Sequence, residues 1–579
     1  MRQVKDPRQT RVFDSFKSIL SPRALRTLEE GWQGVFRHAI LELMPVGAVG
    51  GHFHPSMGAP TKELYSVCGL LLIMEFKDWT QTEAANAYMF NVDVQYALNL
   101  EPAHQSMSVR TIQRYEKLVV EDDLAGSIMT AVTARLVEIL EIDLSRQRLD
   151  STHVFSDMAV FGRTRLMGVA IKRFLTQVKR HDRDAYDALP EALRGRYAPS
   201  KAGLFGDVAK DSESRRLLRL EVAQDMHWLI ERFGAEKSMT GRQTYKDLLR
   251  VFDEQCEVVE VEGKTAVEVK KHPGNETMQN PSDPDATRDG HKGPGYQAQI
   301  AETCSEGNEA QIATIVIPQT ASEHDANAME EVLEQLEEQE MLPETLFADT
   351  HYGSDESVQQ GAEQGVDVQA PANGVKAKTD SDPLNIDDFV VDEATETVER
   401  CPAGHEPVCS EHDAKTGKTR TEMPAEACAN CPYFEVCPAR RAHRKFIVTH
   451  TAKERRLEDR RREQATAAFA KSYRIRAGIE GTNSGMKRRT GLGRVRARGR
   501  PRVFYKIVMK VCGWNILRAA ATETMRRLVA EKALKSALSA PICGFSALVH
   551  RLSRLSGPSG GHCCLDPAFA ADRPRCWAA

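Results

Sequence analysis

The stretch YRIRAGIEGTNSGMKRRTG, residues Tyr473 to Gly491, sets a single acid, Glu480, among arginines and lysines. A surface built only to hold polyanions would exclude a carboxylate there. Either Glu480 pairs with an arginine of its own helix, or it holds something a basic surface cannot, such as a metal ion. Tyr473, Arg476, Glu480 and Lys487 lie at offsets 0, 3, 7 and 14. At ~100° per residue they fall on one stripe of a helix, within roughly 60° of each other. The plainer alternative is an Arg476–Glu480 pair of about 0.3 kcal/mol. Gly478, Gly481 and Gly485 each cost a helix about 1 kcal/mol relative to alanine. A helix that accepts all three is predicted to have something packed close to its backbone, either DNA or a sheet edge. The segment RRTGLGRVRARGRPRVFYK, which opens with Arg488 and Arg489, then reads as a basic loop suited to phosphates.

Charge is unevenly placed along the chain. The net charge is −4 over 579 residues, yet Arg440 to Lys510 holds 23 Lys and Arg against 5 Asp and Glu. Such a block is either a solvated helical face or a phosphate-binding surface, where neutralising phosphates releases counterions and gives affinity. The apolar content is that of a globular protein. Length calls for three or four domains. The first residues lack the apolar core of a signal peptide. The apolar runs, such as VCGLLLIMEF, fall short of the ~18 residues that cross a bilayer. A cytoplasmic protein is expected. The thirteen cysteines are then thiols or metal ligands rather than a disulfide framework.

Residues 1–135 read as helical. In MSVRTIQRYEKLVVED, Ser108 is the expected N-cap, with Arg110, Gln113 and Arg114 on one exposed side. That face is either an ordinary amphipathic surface or a helix that reads DNA. IDLSRQRLDSTHVF reads as a strand ending at Asp150. Residues 165–255 read as helical and charged. YQAQIAETC and QIATIVIPQTA are strand candidates, and SEHDANAMEEVLEQLEEQE an unbroken helix capped by Ser322. ETLFADTHYGS places Asp349 just beyond a short strand, and GVDVQAPAN is a further strand. Strand, hairpin, helix, strand, strand is a mixed α/β pattern. From about residue 373 to 445 the composition is acidic, cysteine-bearing and loop-rich, and the end of the chain reads as unstructured.

An acid at a strand end is commonly a turn former. Three acids in this order, Asp150, Asp349 and Glu480, can instead bind two divalent ions for phosphodiester chemistry. Mg²⁺ suits them because it takes few carboxylates and leaves room for substrate phosphate. Here the chain resembles the bacterial DDE insertion-sequence transposases. Tyr473-x2-Arg476-x3-Glu480-x6-Lys487 matches their Y-R-E-K signature. RLDST, the SDPDA to HKGPGYQAQ segment, FADTHYGS and GWNILR are similar too, over roughly residues 30–520.

The resemblance implies an RNase H-like α/β core with an all-α N-terminal DNA-binding domain (1–135). The core would comprise 140–372, carrying a helical insertion at about 165–270, and 446–535. A Cys-rich insertion (373–445) would lie between them, and a disordered tail (536–579) would follow. Asp150 would lie on the first strand, Asp349 on or just after the fourth, and Glu480 on the helix after the insertion. These three would bind Mg²⁺ or Mn²⁺. Tyr473, Arg476 and Lys487 would contact the transposon-end DNA, with Arg488, Arg489, His291 and Lys292 as further contacts. A nucleoid-associated enzyme working as a homodimer on double-stranded DNA follows. A regulator that binds DNA without cutting, and a nuclease that cuts without joining, are the alternatives.

Within residues 373–445, CANC has a spacing that suits Zn²⁺, and CPAGH and FEVCP add knuckle-like turns. Cys401, Cys428, Cys431 and Cys437 are the expected ligands, leaving Cys409 spare. Four thiolates would staple a segment too polar to build its own core. Reduced, unliganded cysteines and an iron–sulfur cluster are the other readings.

Overall fold

The structure is a computed structural model that describes residues 1–8, 15–102, 105–201, 203–205, 212–261, 264–372, 383–392 and 394–538. The tail expected to be disordered lies outside these residues from 539 onward. Among the described residues, no helix is long and apolar enough to cross a membrane.

The centre is a twisted sheet of five main strands. These are β1 (Arg146–Val154), β2 (Gly293–Thr303), β3 (Ala313–Thr320), β4 (Thr345–Phe347) and β5 (Asp367–Gln369). Their spatial order is β3-β2-β1-β4-β5, with the short strand Thr287–Asp289 paired to the start of β2. β1 runs antiparallel to β2 and parallel to β4, which is parallel to β5. Leu149, Ala301, Ile315 and Ile317 turn one face of the sheet onto the Met329–Glu338 helix. Ile300 and Val316 turn the opposite face into a core shared with the N-terminal helices and the Arg500–Ala519 helix.

β1 does not end at Asp150. It continues to Val154, so Asp150 stands mid-strand, opposite Ile300. The helix expected from Ser322 also differs. A 3₁₀ turn spans Asp325–Asn327, and the α-helix starts only at Met329. The cause is Asp325. Its carboxylate accepts from Ser151 Oγ and Gln299 Nε2, both at 2.8 Å, and so ties the segment to the sheet.

The N-terminal helices are not a separate body. Leu64–Phe76 and Leu124–Leu140 pack on Arg500–Ala519 within one apolar core. Lys510, 1% exposed, binds them at one point. Its ammonium donates to Glu75 O (2.9 Å), Asp78 Oδ1 (2.9 Å) and Thr490 O (2.6 Å). A buried cation is tolerated when its protons are all taken up in this way.

After β1 comes an insertion with its own core, built from the helices Arg163–His181, Ser212–Phe233 and Gln243–Gln255. It is not helical to its end. Cys256–Val261 pairs antiparallel with Lys264–Val269, as the alternating valines of CEVVEV and KTAVEV favour. The cysteine-bearing segment likewise has more structure than its composition suggests. Cys409–Asp413, Lys418–Met423, Lys445–Thr451 and Arg440–Ala442 form a four-stranded antiparallel sheet. Phe389, Val398, Met423, Phe446 and Val448 fill its small core. Its last long strand runs to Thr451, beyond the expected boundary at 445. The Ala452–Gln464 helix then begins with a Thr451–Glu454 capping box.

The stretch at 473–491 is not one α-helix. Ala467–Tyr473 is followed by a 3₁₀ turn, Arg474–Ala477, and then by the Gly478–Thr490 helix. The break sits where Arg148 Nη1 donates to Ile475 O at 2.9 Å. Two of the three glycines are explained by protein neighbours. A Cβ on Gly478 would lie 1.9 Å from Arg148 Nη1, and one on Gly485 2.6 Å from the Trp514 ring. Gly481 has nothing within 4 Å. The substitutions should therefore differ in sign. Gly478→Ala and Gly485→Ala are expected to lower the melting temperature, whereas Gly481→Ala should raise stability by up to about 1 kcal/mol. Thermal unfolding of the three variants checks this, and equal behaviour would contradict the packing.

Candidate active site

Asp150, Asp349 and Glu480 arrive from three elements. β1 carries Asp150 in mid-strand. Asp349 follows β4 and caps the Thr350–Tyr352 turn, its Oδ1 accepting from His351 N at 2.8 Å. Glu480 lies in the first turn of the Gly478–Thr490 helix, two-thirds exposed. All three meet the guanidinium of Arg476, which is 15% exposed. Its nitrogens stand 3.0 Å from Asp150 Oδ1, 3.7 Å from Asp349 Oδ2 and 2.9 Å from Glu480 Oε1. The Arg476–Glu480 pair is thus present, but as one side of a three-carboxylate cluster around a cation.

Burial raises the Asp150 carboxyl above its ordinary value, and the Asp349 charge adds to this; Arg476 opposes both. Asn483 Nδ2 donates to Asp150 Oδ2 at 3.0 Å, while the buried Asn483 Oδ1 has no hydrogen-bond partner among the described residues. Asn483 was not foreseen. Its only sequence signal is its place three residues after Glu480, on the same helical face.

Tyr473 stands beside the acids and is tied to the loop that carries Asp349. Its hydroxyl donates to Ala348 O at 2.8 Å, next to Asp349, and its ring stacks on Phe469. Burial pushes its hydroxyl up to about 12. Lys487 stands on the exposed side of its helix, near enough for its ammonium to be lowered by burial and by Lys292 and raised by Asp150. His291 and Lys292 form the turn before β2, their amides donating to Asp289 Oδ1. The Lys292 charge acts on Asp150 as well. Arg488 and Arg489 are exposed beside Lys487. Arg110 and Arg114 stand elsewhere, on the Val109–Glu121 helix, which Ser108 caps as expected.

The three acids are the right donor type for a hard divalent cation, converge on one point, and have an unpartnered buried amide oxygen beside them. Arg476 occupies that point. Among the described residues no three His, Cys, Asp or Glu groups already stand at metal-holding spacing.

A second cluster lies in the cysteine-bearing sheet. Cys401, Cys428, Cys431 and Cys437 line one small apolar pocket together with His405. Burial pushes the Cys428 thiol up to about 11, and Cys437, Cys401 and Cys431 act in the same direction. The His405 amide donates to Cys401 Sγ at 3.4 Å. Cys409 is exposed, on the strand Cys409–Asp413. All nine described cysteines are free thiols.

A family model described as Transposase DDE domain matches residues 400–520. The matched segment contains Glu480 and its helix; Asp150 and Asp349 lie before it. Over that segment the chain is similar to DDE-type transposases. No curated protein and no solved structure matches.

Near the end of β1, His153 is buried beside the Pro294 backbone. Burial pushes its imidazole down to about 4, helped by the Lys292 and Lys487 charges and opposed by Asp289. A depressed folded value means that stability is full above the ordinary 6.5 and is lost as pH falls toward 4. The melting temperature is expected to drop across that window, and His153→Phe to flatten the drop. An identical pH profile for wild type and variant would count against a neutral, buried His153.

Proposed function

We propose that the chain is the transposase of an insertion sequence. It binds terminal inverted repeats, cuts DNA at the element's ends and joins the freed 3′-hydroxyl to target DNA. The observation that carries this is the meeting of Asp150, Asp349 and Glu480 on Arg476, three acids from three distant segments around one cation. Asp150, Asp349 and Glu480 would hold Mg²⁺ or Mn²⁺. Divalent metal held there would supply activation of water or a 3′-hydroxyl and stabilisation of the leaving oxygen.

The remaining roles belong to the chain's own groups. Lys487 and Lys292 flank the acids and would neutralise the phosphate that arrives there. Arg476 would be a further donor to the same phosphate if its hold on the carboxylates were released. Tyr473 is a positioning residue, holding the backbone that carries Asp349. Asn483 orients the Asp150 carboxylate through its amide. In-line attack at phosphorus depends on this positioning and charge neutralisation more than on covalent catalysis. Bringing two element ends together calls for at least two copies of the chain, acting at the nucleoid of a bacterial cytoplasm.

The test uses purified protein, Mn²⁺ or Mg²⁺, and labelled DNA carrying the element's ends, with Glu480→Gln alongside. Wild type should nick at the end boundary and join the 3′-hydroxyl to target, while the variant binds and does neither. Equal binding by both with no cutting by either would make the chain a DNA-binding regulator. Cutting without joining would make it a nuclease.

In the cysteine-bearing sheet, the site proposed for Zn²⁺ is Cys401, Cys428, Cys431 and Cys437. The support is their shared pocket and the amide donated to Cys401 Sγ. Zinc would close a tetrahedral thiolate set and stabilise a sheet whose own core is small. Elemental analysis should find about one zinc per chain, lost in Cys428→Ser. Zinc-free protein with an unchanged unfolding profile would overturn the site.

A further inference from the structure

Away from the carboxylates, a groove of about 1540 Å³ opens between the N-terminal helices and the segment that follows the signature helix. One wall is the Val109–Glu121 helix, presenting Arg110, Arg114 and Lys117. The other is the 496–502 segment, presenting Arg496, Arg498 and Arg502. Eight Lys and Arg side chains line it against two acids, in a chain whose net charge is −4. Both acids are already answered locally, Glu116 by Lys506 at 3.3 Å and Glu121 by Lys117 at 3.4 Å. Arg496, Arg498 and Lys506 are also paired, with Asp78, Asp157 and Glu75, which leaves Lys62, Arg110, Arg114 and Arg502 without an ion pair among the described residues, drawn from both walls.

The arginines of the second wall are set by their backbone. From 494 to 498 the chain alternates, with Val495 and Ala497 buried and Arg494, Arg496 and Arg498 exposed. The segment runs beside the continuation of β1: Phe155 N donates to Gly493 O, Val495 N to Phe155 O, and Asp157 N to Ala497 O. This is why RVRAR follows a period of two, with apolar residues inward and cations outward. Arg496 and Arg498 are steadied on this rim by Asp78 and Asp157, both at 3.0 Å. Arg110 and Arg502 are exposed and make no ion pair among the described residues.

We infer that this groove seats duplex DNA by its phosphate backbone. This rests on the transposase assignment for the identity of the polyanion. One feature favours a duplex over a small anion: the cations stand on opposite walls of a wide, open groove. On one wall Phe53 lies between the Tyr115 ring (5.5 Å) and the Arg114 guanidinium (4.9 Å), so its own faces are taken. The 491–499 segment joins the signature helix to the groove, and it passes the end of the strand that carries Asp150. DNA with a phosphodiester at the three carboxylates has a continuous basic path along Arg494, Arg496 and Arg498 into the groove. Phosphate contacts of this kind fix register and affinity without reading sequence.

The experiment is a salt titration of duplex binding by the full chain without divalent metal, followed by fluorescence anisotropy. It compares wild type with Arg110→Ala/Arg502→Ala, and with Arg183→Ala/Arg216→Ala in the helical insertion. Each lost phosphate contact lowers the slope of log K against log salt by about 0.9, so the groove variant should lose about 2 in slope and several-fold in affinity. The insertion variant should match wild type. If wild type binds and cuts DNA but the groove variant keeps the wild-type slope, the groove is overturned and the transposase assignment stands. If wild type binds no DNA, the assignment itself fails and the groove falls with it. A loss confined to single-stranded DNA would overturn the duplex as occupant.

Discussion

The ion pair between Arg148 and Glu302 is the joint on which the site hangs. The two residues face each other across β1 and β2, and Glu302 is nearly inaccessible. Removing two charges from water costs several kcal/mol per ion unless their remaining donors and acceptors are taken up. Here they are. Arg148 gives Nε and Nη2 to Glu302 Oε2 at 2.8 and 2.6 Å, and Nη1 to Ile475 O at 2.9 Å. The other Glu302 oxygen accepts from Thr482 Oγ1 at 2.8 Å. One buried pair therefore clamps both ends of the 475–482 segment onto the sheet. Arg476 and Glu480 lie inside that clamp, and Asp150 lies two residues along β1 from Arg148. Gly478 is required because the Arg148 guanidinium lies where a side chain would be.

The clamp explains how a lone acid is kept in a basic region. Glu480 shares Arg476 with Asp150 and Asp349, and the three carboxylates are tolerable together only with a cation between them. Arg476 supplies that cation in the structure. The surrounding charges act on a different partner. Lys292 and Lys487 beside the acids, and the arginines of the 494–502 segment beyond them, face outward, where a polyanion would approach. Acids inside and bases outside are what phosphodiester chemistry needs: a site for metal, and a surface for the phosphates that the metal acts on.

Much of this was legible in the residues. The central strands, the position of Asp349 just beyond a short strand and that of Glu480 on a helix follow from pattern and spacing; the mid-strand place of Asp150 does not. What escaped depends on contacts between residues far apart in the chain. Arg148 and Glu302 are 154 positions apart, and only strand register pairs them. The 3₁₀ break at 474–477 comes from that same arginine, so helical periodicity drew one continuous stripe through it. Asp325 looked like part of a helix's first turn because its bonds to Ser151 and Gln299 belong to the sheet. The cysteine-bearing segment looked loop-rich because its composition is acidic, while the alternation in KTRTEM and KFIVTHT that builds its sheet is short. The bond from the Tyr473 hydroxyl to Ala348 O, 125 positions away, is likewise invisible to spacing along one helix.

The central claim is that Asp150, Asp349 and Glu480 form one cation site which Arg476 occupies and a divalent ion can take over. Mn²⁺ binding to wild type and Arg476→Gln, measured by calorimetry, tests it most directly. Arg476 competes for the same oxygens, so its removal should tighten Mn²⁺ binding while the metal-free variant unfolds at lower temperature. Asp150→Asn in the same background should abolish the gain. Mn²⁺ affinity that is unchanged or weaker in Arg476→Gln would contradict the account, because the arginine and the metal would then not share a site.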